Sequence, residues 1–380
     1  MDVPAVCSGL GGNCPIPGRQ FAITAGLALL LPFVTVAADY ITASECKNCH
    51  PNEYAVQSRS AHALALSPTM KHRLAGELPV SKSWNRTPDF SCSFEITPKG
   101  LRAKIDGQNQ RQETGLEWAF GAGSQGITFV GKRPGEAYLE FSLSFYTRSK
   151  VFGVTPGHER IRPGSAAQAL GIPFAIYSDG GEMLECFRCH STGEVSVAPD
   201  DTIEPAELGV RCEDCHGPGS EHRDAAMRGA GAEVRSSIES PGRLSSAELN
   251  RFCGSCHRFM ARDRAQIDLT FAWNVRHQPP YLERSACFRK SAGRLSCLTC
   301  HSPHESARRN DPAFYNARCT GCHTGSSKDA TVCKVSQGDC IDCHMPRVRP
   351  SEYMQFRSHW IGVYTPQADS PSLRFAPPRS

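Results

Sequence analysis

The sequence lacks long apolar runs outside residues 21–36, and it has few aromatic residues and little net charge. That run of sixteen residues is short for a membrane span, and Pro32 interrupts it. Aromatic residues make up 8% of the 380 residues, and the formal net charge is +4. We therefore expect no stable membrane span once the N-terminal signal peptide described below has been removed. The small net charge gives no support to a nucleic-acid partner.

Residues 1–38 have the pattern of a signal peptide. The apolar run ends in small residues, which predicts cleavage after Ala38. The segment before the run is atypical because Arg19 is its only basic residue. An uncleaved anchor is therefore a second interpretation. With cleavage, the mature protein is expected in the periplasm or outside the cell.

The pentapeptide Cys-x-x-Cys-His occurs seven times, and the copies are numbered here as motifs 1 to 7. The cysteines are Cys46 and Cys49, Cys186 and Cys189, Cys212 and Cys215, Cys253 and Cys256, Cys297 and Cys300, Cys319 and Cys322, and Cys340 and Cys343. The histidines are His50, His190, His216, His257, His301, His323 and His344. Residues at i, i+3 and i+4 share one side of a helical turn, so two sulfurs and one imidazole can meet the same macrocycle. This pattern is the signature of covalent c-type haem attachment, with the histidine as proximal iron ligand.

Zinc ribbons and thiol redox pairs are the alternatives for a Cys-x-x-Cys pair. Zinc ribbons do not require an adjoining histidine, whereas all seven pairs carry one. The sequence therefore predicts seven covalently attached haem c groups. Six motifs lie within residues 186–344. This spacing leaves too little chain for a protein core between cofactors, so the haems are expected to pack against one another.

Seven histidines remain outside the motifs. Their number equals the number of motifs, which suggests that every haem has two histidine ligands. The seven histidines are His62, His72, His158, His222, His277, His304 and His359. His222 and His304 follow a motif too closely to reach across their own haem, so each is expected to ligate a neighbour's iron. His72 and His277 are the weakest candidates. If one haem is open to substrate, its missing ligand should be one of these two.

The motif spacing divides the mature chain into four parts. Residues 39–72 form a first haem segment, and residues 73–185 hold no motif but contain alternating, β-rich stretches. Residues 186–360 form a six-haem domain, and residues 361–380 are expected to be a disordered tail. The predicted fold is mainly α with irregular loops and an inserted β-rich lobe, which serves as a docking surface or as a lid.

Three helix starts are predicted from local signals. Thr42-x-x-Glu45 before motif 1 and Ser245-x-x-Glu248 before motif 4 are capping-box sequences. Asp311-Pro312 before motif 6 offers an N-cap followed by proline at the first helical position.

Three cysteines of the mature chain lie outside the motifs, namely Cys92, Cys287 and Cys333. Three cysteines can form at most one disulfide, which leaves one thiol over. The sequence does not select a pairing, and buried free cysteine is the alternative.

Four stretches carry a family resemblance: residues 46–50 with Tyr54 and His62, residues 212–222, residues 297–304, and residues 340–346. They resemble the periplasmic multihaem c-type cytochromes of the cytochrome c-554 class. The resemblance covers about half the mature chain, and residues 73–185 match only loosely. It implies a mostly α fold, haems in stacked and perpendicular pairs, and His62, His222 and His304 as distal ligands. The c-554 class has four motifs, so its haem order does not transfer to seven.

These patterns predict an exported heptahaem cytochrome that carries electrons between redox partner proteins through mostly bis-histidine haems. One alternative is an oxidoreductase with one open-coordination haem that acts on a small nitrogen or sulfur compound. Another is a self-associating subunit of an extracellular conductive filament. The sequence contains no Cys-x-x-Cys-Lys motif, which counts against the chemistry of pentahaem nitrite reductases.

Overall fold

Strands and helices contribute almost equally to the fold. The computed structural model describes residues 38–132, 138–176, 183–257, 267–323, 333, 338–365 and 370–379, so the expected signal peptide lies almost wholly outside the described residues. The chain is 32% helical and 25% strand. The expectation of a mainly α fold was therefore wrong. The reason is that a haem-attachment motif needs only one or two helical turns, whereas the β-rich lobe forms long paired strands.

The helices are short. They are α1 (Thr42–Cys46), α2 (Pro51–Gln57), α3 (Ala166–Leu170), α4 (Met183–His190), α5 (Cys212–His216), α6 (Ser220–Met227), α7 (Ala232–Ser236), α8 (Ser246–Cys253), α9 (Gln278–Arg284), α10 (Ala286–Lys290), α11 (Cys297–Cys300), α12 (Pro312–His323) and α13 (Cys340–His344). Short 3-10 helices cover Thr69–Lys71, Ala75–Glu77, Pro241–Arg243 and Ala272–Arg276. None of the helices in the described residues has the length and apolar character needed to cross a membrane.

The strands pair antiparallel. They are β1 (Leu66–Pro68), β2 (Trp84–Thr87), β3 (Phe90–Thr97), β4 (Gly100–Gly107), β5 (Gln110–Leu116), β6 (Trp118–Phe120), β7 (Gly126–Lys132), β8 (Tyr138–Phe141), β9 (Leu143–Tyr146), β10 (Val151–Val154), β11 (Gly171–Phe174), β12 (Ser191–Val197), β13 (Ile203–Leu208), β14 (Arg347–Val348) and β15 (Phe356–Arg357). One sheet has the order β2-β3-β4-β5. A seven-stranded sheet has the order β1-β6-β7-β8-β11, with β9 joining β7 to β10.

The core of the β-rich lobe lies under the four-stranded sheet. In β4, Leu101, Ala103 and Ile105 are buried, and the residues between them are more exposed. This alternation is the pattern of a strand with one buried face. The buried side chains join Phe129, Phe141 and others from the larger sheet in one apolar cluster. The lobe therefore has a protein core of its own.

Helix α4, which carries motif 2, packs on the β-rich lobe. Phe187 of α4 is fully buried, with ring centroids 5.4 Å from Trp118, 5.1 Å from Phe120 and 6.2 Å from Tyr138. The hairpin β12–β13 follows directly. The β structure thus extends beyond residue 185 and anchors the second motif.

Two of the three predicted helix starts have the expected caps. Ser245 and Glu248 form a capping box before α8, and the Asp311 carboxylate accepts the backbone N–H of Phe314 at 3.0 Å. A helix begins at Thr42, as predicted, but the predicted capping box was wrong. The φ of Thr42 is 69°, and no side-chain cap forms at α1. Carboxylates from distant parts of the chain bind the N–H groups there.

The C-terminal segment 370–379, expected to belong to a disordered tail, packs against the fold. Phe375 is 2% exposed and lies in a cluster with Val275, Tyr281 and Val348. Residues 271 and 374 form a β-bridge. The Phe375 side chain, the backbone hydrogen bonds to residues 270–272 and the ion pair of Arg374 with Asp268 at 2.7 Å together hold this segment.

Candidate haem-binding site

One cavity brings most of the motifs together. Its volume is about 3330 Å³, which exceeds the roughly 300–1,000 Å³ of ordinary ligand sites. The lining includes Cys46, Cys49, His50, Cys189, His190, Cys212, Cys215, His216, Cys253, Cys256, His257, Cys297, Cys300, His301, Cys319, Cys322 and His323. Motif 7 contributes Ile341 to the lining, and Met345 directly after the motif also lines the cavity. A cavity of this size, lined by thiols and imidazoles from six motifs, fits several macrocycles in contact.

The first cysteines of the motifs meet in pairs. Cys46 lies next to Cys212, Cys253 next to Cys297, and Cys319 next to Cys340. Motif 1 therefore lies beside motif 3, motif 4 beside motif 5, and motif 6 beside motif 7. The first of these pairings joins motifs that are far apart in the sequence.

Four motif histidines face a histidine from outside the motifs. The ring centroids are 6.2 Å apart for His50 and His222, 5.9 Å for His62 and His257, 6.2 Å for His216 and His304, and 6.2 Å for His301 and His359. With metal–nitrogen bonds of about 2.0–2.1 Å, two imidazoles on opposite sides of one ion have centroids about 6.2–6.4 Å apart. Three of the four pairs have this spacing, and the centroids of His62 and His257 are slightly closer at 5.9 Å.

In each of the four pairs, a backbone carbonyl orients one of the two histidines. Nδ1 lies 3.2 Å from Pro303 O in His62, 2.7 Å from Val234 O in His222, 3.1 Å from Arg357 O in His359, and 2.8 Å from Glu239 O in His216. When Nδ1 donates its proton to a carbonyl, Nε2 is left with a lone pair for a metal. This arrangement favours the tautomer that an iron ligand needs.

Burial keeps two of these imidazoles neutral. Loss of water, together with the nearby His62, His190 and His301, lowers the pKa of His257 to about 4. Burial also lowers the pKa of His359 to about 4, with His301 as the second cause. A metal ligand must be deprotonated, so both residues are in the state that iron binding requires.

The other three candidate distal ligands lie outside the cavity lining. His72 has both ring nitrogens engaged, since Nε2 lies 3.2 Å from Gly121 O and Nδ1 accepts the N–H of Leu74 at 3.1 Å. His158 is buried in the β-rich lobe, with Nε2 3.0 Å from a Glu140 carboxylate oxygen. His277 accepts a hydrogen bond from Arg276 through Nε2 at 3.3 Å. The structure does not bring these three to a motif histidine.

Two motif histidines have other neighbours. His190 donates through Nδ1 to Ala65 O, 3.1 Å away, and its ring lies 5.2 Å from that of Phe120. His344 lies 2.9 Å from Gly362 O through Nδ1. Both imidazoles are oriented as proximal ligands would be.

Sequence reasoning missed Glu213, which lies inside motif 3. Its side chain is buried and accepts the backbone N–H groups of Ile41, Thr42 and Gly219 at 2.9, 2.7 and 2.7 Å. This carboxylate fastens the start of α1 to motif 3 and so holds motifs 1 and 3 together. A charged residue between two haem-attached cysteines was the only signal of its role.

Of the cysteines outside the motifs, Cys92 is a fully buried free thiol in the lobe, and burial raises its pKa. Cys287 is a free thiol in the cavity lining, close to Cys300 and Cys319. Both match the alternative of free cysteine.

Comparison with known proteins agrees with the motifs. The family described as cytochrome c554 and c-prime matches residues 170–217, which contain motifs 2 and 3. The multiheme cytochrome MtrA of Shewanella baltica (strain OS185) is 28% identical over 178 residues, covering 42% of this chain and 45% of MtrA. The chain thus spans less than half the length of this relative.

Among solved structures, the crystal structure of the outer cell wall cytochrome OcwA is similar to this chain. The TM-score is 0.48 at 14% identity, over 85% of this chain and 79% of OcwA. Together with the motifs and the similarity to MtrA, the family match defines the class. The chain is a multihaem c-type cytochrome with covalently bound haem c.

Proposed function

We propose that this protein is an exported heptahaem electron carrier that passes electrons between redox partner proteins. The observation that carries the proposal is the set of four histidine pairs, three of them with the spacing of two axial ligands and the fourth slightly closer. Two imidazoles fill both axial positions of an iron, which leaves no position for a substrate. Export is supported by the apolar run at residues 21–36 and by the haem-attachment motifs.

The residues of the chain would act by placing and insulating the cofactors. Haem supplies the one-electron redox chemistry when bound. The motif cysteines fix each macrocycle by its edge, and the cavity wall excludes water. The backbone carbonyls at residues 234, 239, 303 and 357 hold the imidazoles in their tautomers.

The contacts between motifs support a connected route for electrons. Motif 5 lies beside motif 4 through Cys297 and Cys253, and beside motif 6 through Cys300 and Cys319. His304, three residues beyond motif 5, faces His216 of motif 3. Motif 5 would therefore hold a branch-point haem, with neighbours in three directions, as would motif 3, which lies beside motif 1 and beside motif 4 through Cys215 and Cys253.

A second function is supported by the positions of His72, His158 and His277. Because these three lie outside the cavity lining, the haems of motifs 2, 6 and 7 would depend on other ligands or have one open position. An open-coordination haem could act on a small nitrogen or sulfur compound. The residues around His190, which lie between the β-rich lobe and the cavity, are the first place to look for such a site.

Mass spectrometry and electron paramagnetic resonance of the isolated holoprotein test both functions. We expect seven haems per chain and low-spin ferric signals from at least the four paired haems. Carbon monoxide binding to the reduced protein would favour the enzyme over the pure carrier. Fewer than four low-spin haems would contradict the assignment of the histidine pairs.

A further inference from the structure

Two consecutive arginines beside motif 5 have opposite surroundings. Arg308 forms an ion pair with Glu305 at 3.3 Å and lies over the Phe314 ring at 4.4 Å. Arg309 lines the haem cavity, and Arg308 does not. Within the described part of the chain, no carboxylate lies within ion-pair distance of Arg309. One arginine is therefore paired on the outside, and the next is directed into the cavity alone.

The loop geometry holds Arg309 in this position. The Tyr315 hydroxyl accepts the backbone N–H of Arg308 at 3.1 Å, and the ring of Tyr315 lies 5.5 Å from that of His301. The N–H of Arg309 donates to Ala307 O at 2.9 Å. The first turn of α12 thus fixes the loop against the proximal histidine of motif 5.

The charge of Arg309 acts on motif 5. Arg309 lies close enough to His301, the proximal histidine of motif 5, for its positive charge to act there. Without a carboxylate partner in the described residues, the guanidinium of Arg309 is available to an anion inside the cavity. Carboxylates are the anions that bind the planar guanidinium fork best.

We propose that Arg309 binds a propionate of a haem at motif 5 and raises the reduction potential of that haem. The proposal rests on the function proposed above, because the carboxylate belongs to the cofactor. A fixed positive charge favours the reduced haem, which carries one negative charge more than the oxidised haem. Since motif 5 would hold a branch-point haem, Arg309 would make that junction of the network an electron sink.

The test is a spectroelectrochemical titration of the holoprotein in four forms: wild type, Arg309→Gln, Arg309→Lys and Arg308→Gln. Haem content per chain is measured for each form. We expect one transition to move to lower potential in Arg309→Gln, to return most of the way in Arg309→Lys, and to stay in place in Arg308→Gln. The last variant is matched to the first in residue type, loop and charge change.

Several results would overturn the proposal while leaving the electron-carrier function intact. One is a wild-type set of potentials in Arg309→Gln with all haems attached. Another is an equal shift in Arg308→Gln, which would indicate a general effect of surface charge. Loss of a haem from Arg309→Gln and Arg309→Lys alike would exclude a role based on charge. If wild type carried no haem, the proposed function itself would fail.

The anion could also be a diffusible one, and inorganic phosphate distinguishes the two sources. If Arg309 binds a propionate, added phosphate leaves the potentials of wild type and Arg309→Gln equally unaffected. A phosphate-dependent shift in wild type that Arg309→Gln abolishes would contradict the proposal.

Discussion

At the residue scale, two carboxylates hold the start of the described chain to the rest of the fold. Glu213 accepts N–H groups from Ile41 and Thr42, and Glu207 accepts that of Ala43 at 3.2 Å. The helix α1 therefore begins where distant acceptors satisfy its first donors. Local capping was expected from Thr42 and Glu45, and the tertiary contacts replaced it. No local pattern could reveal acceptors that come from more than 160 residues away.

Replacing Glu213 by glutamine should destabilise the protein by about 2–3 kcal/mol, because buried N–H donors lose a charged acceptor and meet an amide group. Urea unfolding measures the change. Glu45→Gln is the matched control, since Glu45 is exposed and makes no cap; we expect a change below about 0.5 kcal/mol. Equal effects of the two substitutions would show that Glu213 does not fasten α1.

The raised pKa of the Glu207 carboxyl leads us to expect that the stability of the protein depends on pH. Burial raises the pKa of its carboxyl, with the nearby Glu213 as a further raising cause. A folded-state pKa above the unfolded value of about 4.3 means that stability falls as pH rises through the folded-state pKa. Glu207→Gln should therefore stabilise the protein at neutral pH and have little effect near pH 3.

Urea unfolding at both pH values measures this dependence. Glutamine keeps an oxygen acceptor for the Ala43 N–H, so the substitution changes mainly the charge. An effect of equal size at pH 3 and pH 7 would contradict the assignment to this ionisation.

At the element scale, the sequence predicted two of three helix caps but overestimated the helix content. The pentapeptide gives the motif cysteines and histidines by spacing alone, and the caps at Ser245 and Asp311 follow from local chemistry. The share of helix was overestimated because α5, α11 and α13 are single turns of four or five residues. The extent of the β-rich lobe depends on strand pairing across the fold, which no local pattern specifies.

Phe187 tests how strongly α4 depends on the β-rich lobe. Phe187→Ala should destabilise the protein by about 3–5 kcal/mol, because a fully buried ring leaves a cavity among three other rings. Phe187→Leu, which fills part of the space, should cost less. Denaturant unfolding monitored by tryptophan fluorescence measures both, since Trp118 contacts the ring. A loss below about 1 kcal/mol for alanine would show that α4 is held by other contacts.

At the scale of the whole molecule, the histidine pairs join segments that are far apart in the sequence. His222 follows motif 3 and faces motif 1, His304 follows motif 5 and faces motif 3, and His62 follows motif 1 and faces motif 4. The sequence predicted that His222 and His304 serve neighbouring haems. It did not predict which neighbours, because the partner depends on how distant segments pack.

The pairing of histidines from different motif segments makes a specific prediction for spectroscopy. His304→Ala should convert one haem, that of motif 3, from low spin to high spin, because its distal imidazole is lost. His72→Ala is the control: it removes a histidine whose nitrogens bond to the lobe, so the spin states should stay as in wild type. Electron paramagnetic resonance counts the low-spin and high-spin haems in both variants. Retention of all low-spin signals in His304→Ala would refute the pairing with His216.

The pair formed by His50 and His222 also bears on the order in which the chain matures. A nascent chain that ends before residue 222 contains the first attachment site but not the histidine that faces it. His216 likewise faces a histidine in a later segment, almost ninety residues downstream. Contacts of such long sequence separation form late, because the intervening loop must close first. Each early cofactor must therefore be attached to an open, partly folded chain, and the later segments close over it.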